Sequence, residues 1–266
     1  MTRLSGITPS GHAHLGNHLG ALRRWATEGA PGDLYFVSDL HAMTLSYNPA
    51  RLRALTSETL AVLVAGGIDP DRLFVQSDLI SELGALTWVL ECTCTYGEAA
   101  RMTQFKQKTA AAEAGTGFRL GLLTYPVLMA ADILLQGASE VPVGADQDQH
   151  VELARTLARR FNQTYGDVFT VPKAVVSPMA ARVRDLADPT RKMSKSTRDE
   201  IGAVFVLDPP EHIERKIKRA VTDGVNEVAY RPEQQPGVAN LLEILAACTG
   251  TSDAPCSRMS AAISTG

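Results

Sequence analysis

Residues 33–39 read DLYFVSD and residues 72–78 read RLFVQSD. Each is a short apolar run closed by polar residues, the pattern of a strand covered on both faces of a parallel sheet. Between them, Asn48 and Pro49 have the chemistry of an N-cap and a first helical residue. The helical pattern that follows stops at Gly66 and Gly67. The unit is strand, helix, strand, and it predicts an α/β fold with a doubly wound parallel sheet, ligands lying at the carboxyl ends of its strands.

Upstream stands PSGHAHLGNH, residues 9–18, with three histidines in ten positions. Leu15, Leu19, Leu22 and Ala26 recur at helical spacing, so the glycine turn opens directly into a helix that ends near Gly29. A turn at a helix amino terminus offers backbone N–H groups and the positive end of the helix dipole to an anion, phosphate being the natural guest. Gly11 and Gly16 permit close approach, and His14 and Asn17 supply short-range donors. The competing metal site, from His12, His14 and His18, lacks a further ligand at a zinc-like spacing.

Downstream, a helix is expected around 80–92, a basic helix over YGEAARMTQFKQK (96–108), and an apolar helix over GLLTYPVLMAADILLQ (121–136), kinked or begun at Pro126. SEVPVGADQ (139–147) reads as a strand whose glycine leads into the helix HVELARTLARRF. Asp132, inside LMAADILL, is the anomaly of this region. Burying it unpaired would cost on the order of several kcal/mol, so either a ligand or a core arginine must meet it. His41, in SDLHAMT, either faces the same pocket or is a hydrogen-bonded structural histidine. Asp146 can serve as an N-cap, a role compatible with binding hydroxyls.

From about residue 175 the texture changes. KAVVSPMAARVRDLADPTRKMSKSTRDE reads as a basic loop, followed by helices over ERKIKRAVTD and NLLEILAACTG. Pro209 and Pro210 begin the first of these, with Ile213, Ile217 and Val221 on one face. The expected division is a catalytic α/β domain over 1–180 and a smaller all-helical domain over 181–266. Lys192, Ser194, Lys195 and Ser196 place two cations and two hydroxyls in one flexible loop, suited to a polyphosphate leaving group.

The bulk numbers set limits around this reading. At 266 residues and 28.5 kDa, with 45% apolar and 21% charged residues, the composition is that of a soluble globular chain. A polar start and the lack of a long apolar run point to the cytoplasm, with no membrane partner. The net charge of −3 requires any nucleic acid to be met by a local basic patch. Cys92, Cys94, Cys248 and Cys256 fit neither a zinc pattern nor a disulfide framework, and read as reduced thiols.

The pairing of HLGN near the start with KMSKS in the second half resembles the paired signatures of the class I aminoacyl-tRNA synthetases. SGITPSGHAHLGN, MTQFKQK, LLTYPVLMAADILL and VPVGADQDQHVELAR, in that order, resemble the tryptophanyl-tRNA synthetases in particular. The resemblance implies a Rossmann-like core, a helical domain that helps read the anticodon, and a homodimer. It implies activation of L-tryptophan by ATP to the adenylate with release of pyrophosphate, transfer to tRNA(Trp), and Mg2+ accompanying the ATP.

It also implies site roles. Thr8, Ser10, Gly11, Gly16, Asn17, Gly144, Asp146 and Val183 line the ATP site, with His14 beside the phosphates. Lys192, Ser194 and Lys195 clamp the phosphates, and Lys108 adds charge, with Lys106 near it. Leu4, Gly6, His41, Tyr125, Met129, Asp132, Val143 and Gln147 surround tryptophan, Asp132 meeting the indole N–H. Two departures stand out. Thr8 occupies a position where the family usually carries glutamine, so contacts with tryptophan-like inhibitors are expected to change. The chain also closes on TSDAPCSRMSAAISTG where relatives continue through further helices, so weak tRNA charging is expected. The rival readings are a tyrosyl-tRNA synthetase, a tryptophan-binding or resistance paralogue with reduced catalysis, and a small-molecule adenylyltransferase.

Overall fold

The computed structural model describes residues 1–44, 46–102, 119–144, 147–176, 183–194, 200–224 and 227–250. Its contacts divide the chain into two compact units. One comprises Met1–Ser10, Ala30–Val64 and Ile68–Pro178; the other comprises Gly11–Gly29, Ala65–Gly67 and Met179–Gly266. The glycine turn and its helix, expected in the first domain, are thus grouped with the second unit.

The first unit is built on five parallel strands: β1 (Leu4–Ile7), β2 (Leu34–Val37), β3 (Leu73–Val75), β4 (Glu140–Val143) and β5 (Lys173–Val176). Leu4 pairs with Leu34, Tyr35 with Leu73 and Glu140 with Lys173. One parallel bridge between Arg3 and Glu140 joins the two ladders, giving the order 3-2-1-4-5. The Thr2 carbonyl accepts from the N–H groups of both Ser139 and Glu140, at 3.0 and 3.2 Å. Between β1 and β4 the winding reverses, which is where an open α/β sheet leaves a crevice.

The sequence signals explain most helices. Asn48 accepts from the N–H of Arg51 at 3.0 Å and so caps the helix Pro49–Ala65, which precedes Gly67 at φ +93°. Thr95 and Glu98 form a capping box at Tyr96–Ala100; the remainder of that expected helix lies outside the described residues from 103 onward. The helices Ile80–Thr93, Leu120–Leu135 and Asp148–Tyr165 bury Leu83, Leu90, Val127, Ala130, Ile133, Val151 and Leu157 in one core with Leu4, Phe36 and Val141. Pro126 lies inside the second of these helices, beyond its first turn.

β5 corrects the expectation of a loop from Lys173. Four residues with adjacent valines carry little periodicity, and pairing with β4 decides their state: the Lys173 N–H donates to Ser139 at 3.0 Å. In the second unit, Leu15–Asn17, a π turn over His18–Leu22, and Arg23–Glu28 run on as one helical stretch ending at Gly29. Leu19, Val183, Leu186, Met193, Ala203, Val204 and Ile244 form its core, against the helices Pro210–Lys218 and Pro236–Thr249. Val221 falls outside the helical face expected of it. The helix stops at Lys218, and the Val221 N–H donates instead to the Leu186 carbonyl at 2.8 Å.

Candidate active site

At the carboxyl ends of β1 and β4 the first unit encloses a cavity of about 420 Å³. Seven of the residues expected around tryptophan line it together: Leu4, Gly6, His41, Tyr125, Met129, Asp132 and Val143, with Gln147 as the eighth. Thr8 and Gly144, expected at the nucleotide, line it too. The rest of the wall, including Ser5, Phe36, Ser38 and Thr44, was not anticipated.

Gly6 is there for a steric reason. A Cβ on it would stand 2.6 Å from two carbons of the Phe36 ring, and that ring is itself held by stacking on Phe74 at 5.2 Å. The result is a flat apolar floor suited to an aromatic guest.

Asp132 is 2% exposed, and among the described residues it has no arginine or other fixed cation as partner. Gln76 donates to it through Nε2, 3.0 Å from Oδ1 and 2.8 Å from Oδ2. Burial pushes this carboxyl up to about 8; the Gln76 hydrogen bond works the other way, and the charge of Asp39 adds to the rise. His41 is tied to the same amide: Gln76 Nε2 stands 2.9 Å from its Nδ1, and Gln76 Oε1 accepts from its backbone N–H at 3.3 Å. Burial holds the His41 ring below the usual histidine value, so near neutral pH it is uncharged and no counter-ion to Asp132.

Tyr125 presents its ring edge to His41, with centroids 6.1 Å apart, and its hydroxyl lies 3.1 Å from His150 Nε2. Thr8 Oγ1 and Ser38 Oγ are 2.9 Å apart, so the shorter residue at position 8 is held by a neighbouring hydroxyl. Gln147 starts the helix Asp148–Tyr165, its N–H bonded to the Gly144 carbonyl at 2.9 Å. Gln76 is the important omission from the sequence reading. It ends the quoted run RLFVQSD, and the only signal for it was that Asp132 needed a donor.

In the second unit the glycine turn departs from expectation. The Leu15 N–H donates to the Val204 carbonyl at 2.8 Å, and the N–H groups of Asn17 and His18 both donate to the His14 carbonyl, at 2.8 and 3.1 Å. Most of the amides expected to await an anion are therefore engaged by the chain. Asn17 Oδ1 accepts from the His14 N–H at 3.1 Å, and His14 is buried. Gly16 leaves little room for a side chain: a Cβ there would stand 3.0 Å from the His14 ring. His12 packs edge-on against Phe205. Among the described residues no three His, Cys, Asp or Glu side chains could hold a metal ion.

Of the basic loop, Lys192 is exposed, Ser194 is half-buried, and Met193 between them is buried in the core. The Met193 N–H donates to the carbonyl of Val183, whose side chain is in the same core. Ser10 is exposed and Gly11 buried, the Ser10 N–H donating to Thr8 at 2.9 Å. Lys106, Lys108, Asp146, Lys195 and Ser196 lie outside the described residues.

The family described as tRNA synthetases class I (W and Y) matches residues 1–266. Tryptophan–tRNA ligase 1 of Streptomyces coelicolor is 52% identical over 94% of this chain and 76% of its own length. The crystal structure of tryptophanyl-tRNA synthetase from Mycoplasma pneumoniae superposes with a TM-score of 0.78 at 40% identity, covering 92% of this chain and 73% of that one. The enzyme from Campylobacter jejuni, solved with ADP and tryptophan, gives 0.78 at 34% identity over 92% and 74%. The strand order, the cavity at its reversal and these likenesses agree: the fold is Rossmann-like, and the chain belongs to the class I tRNA synthetases for tryptophan and tyrosine, within its tryptophan–tRNA ligases.

Proposed function

We propose that this chain activates L-tryptophan with ATP, forming tryptophanyl-adenylate and pyrophosphate, and transfers the tryptophanyl group to tRNA(Trp). The observation that carries this is Asp132: a buried carboxylate lining an apolar cavity, with Gln76 as its one donor among the described residues. An indole lying on the Phe36 floor would bring an N–H to that acceptor, and Met129 and Val143 would bound its ring. A ring without a donor would leave the carboxylate short of a partner, the condition under which a site rejects its near-isostere strongly.

The reaction asks little covalent chemistry of the protein. The tryptophan carboxylate attacks the α-phosphorus of ATP and pyrophosphate departs, so positioning and charge stabilisation supply the rate. Tyr125 and Gln147 are assigned to the amino-acid head group. Thr8, Ser10, Gly11, Gly16, Asn17, Gly144, Asp146 and Val183 are assigned to ATP, and His14, Lys108, Lys192, Ser194 and Lys195 to its phosphates. Magnesium, a hard cation that favours phosphate oxygens, would arrive on the nucleotide and would not occupy a cage of side chains. The reaction is placed in the cytoplasm and in a homodimer; no described helix is long and apolar enough to cross a membrane.

Tryptophan-dependent exchange of pyrophosphate into ATP tests the reading, with tyrosine as control. Exchange with tryptophan alone is expected. Exchange with tyrosine alone, or with neither from a folded chain, overturns it.

A further inference from the structure

Gln76 is completely buried at the end of β3, yet both of its amide protons serve groups that line the cavity. Nε2 lies within 3.0 Å of both oxygens of Asp132 and 2.9 Å from His41 Nδ1, while Oε1 receives the His41 backbone N–H and stands 3.2 Å from the same Nδ1. The amide cannot be turned over. Its NH2 would then face the His41 backbone N–H, one donor against another in a dry site.

We propose that Gln76 is a specificity-determining positioning residue, which fixes the plane of the Asp132 carboxylate and thereby makes the cavity select a ring bearing an N–H donor. The inference rests on the reading that this ring is the indole of tryptophan. A buried glutamine that merely filled the core would find backbone partners of its own. Here Asp132 accepts from no other described residue, so without Gln76 its carboxyl would be free to rotate. Burial raises it to about 8 even though the Gln76 hydrogen bond opposes the rise. Around it, His41 is neutral and 3.9 Å away, and Asp39 raises it further.

The test compares tryptophan with its benzothiophene analogue, in which sulfur replaces the ring N–H, as substrates for pyrophosphate exchange by the wild type and Gln76→Met. The expected result is a fall of about tenfold in the preference for tryptophan, the worth of one hydrogen bond to a charged group. It should come through KM for tryptophan, with kcat and the analogue's kcat/KM held within about twofold. Should Gln76→Met not fold, Gln76→Asn, which withdraws the donor by one methylene, gives the same readout. Equal losses for both substrates, or an unchanged preference, overturn the inference while leaving the tryptophan reading intact. A wild type that shows no tryptophan-dependent exchange overturns both.

Discussion

Two buried charges, one in each unit, are treated in opposite ways. Lys216 is 8% exposed, and the fold supplies all it needs: Nζ lies 2.7 Å from Asp208 Oδ2, 2.8 Å from the Ala203 carbonyl, and 4.8 Å over the Phe205 ring. Asp208 in turn accepts the Phe205 N–H at 2.8 Å. Asp132 is more deeply buried and has one amide. A charge buried for the sake of the fold closes its hydrogen bonds inside the protein, whereas one buried for a ligand leaves an acceptor open and stays uncomfortable until the ligand comes.

Breaking the closed case should have the largest effect. Lys216→Met leaves Asp208 without its cation and is expected to destabilise by about 3 kcal/mol, read as a lower urea midpoint. Adding Asp208→Asn should restore more than half of that, and failure to do so would mean Lys216 acts by packing alone. The open case should fail in function before it fails in folding. Asp132→Asn, whose amide oxygen pairs with Gln76 and whose NH2 then meets the indole N–H, is expected to lower kcat/KM for tryptophan about a hundredfold in pyrophosphate exchange.

The same variant should fold better, and its pH dependence fixes the sign. The Asp132 carboxyl keeps its proton in the folded chain up to about 8, while in the unfolded chain it loses it near 3.8, so wild-type stability falls across that window. Asp132→Asn is expected to gain about 1–2 kcal/mol at pH 8, a gap that closes toward pH 4; a gap independent of pH would remove burial as the cause. Glu98 supplies the contrasting sign. Hydrogen bonds from Arg160 hold it down at about 2, so the advantage of wild type over Glu98→Gln, about 1 kcal/mol, should be present above 4.5 and vanish as pH falls toward 2. Thermal melts across pH would show it. Smallest is Thr8→Gln, expected to shift inhibition by tryptophan-like compounds only a few-fold; identical inhibition constants would show that the Thr8–Ser38 contact does not shape the cavity.

These contrasts also show what could be read from the sequence. Asp132 was legible because a carboxylate interrupts an apolar helix, a purely local anomaly. Gln76 was not, because its partner is 56 residues away and only the strand register brings them together. Strands β2 to β4 and the crossover helices follow from apolar runs and caps, while β1 and β5 needed their neighbours. Of the amides after Gly11, those of Asn17 and His18 are claimed locally by the His14 carbonyl, whereas the partner of the Leu15 N–H, the Val204 carbonyl, comes from a distant part of the chain. Tyr125, Met129 and Val143 entered through family likeness, and the fold brings them to one cavity.

The seam between β1 and β4 has a dynamic consequence. Glu140, its carboxyl held low by Lys173 and Arg3, clamps the seam at 2.8 Å to each, but only a single bridge and the Thr2 carbonyl tie the two backbone ladders together. The expected outcome is that amides of the two ladders exchange at separate rates in the empty protein, as hydrogen-exchange measurement would show. A guest in the cavity touches Gly6 on one side and Val143 on the other. If that guest is tryptophan, as proposed, it is the missing rung, and its arrival should merge two exchange regimes into one, slowing amides in β5 that it never contacts.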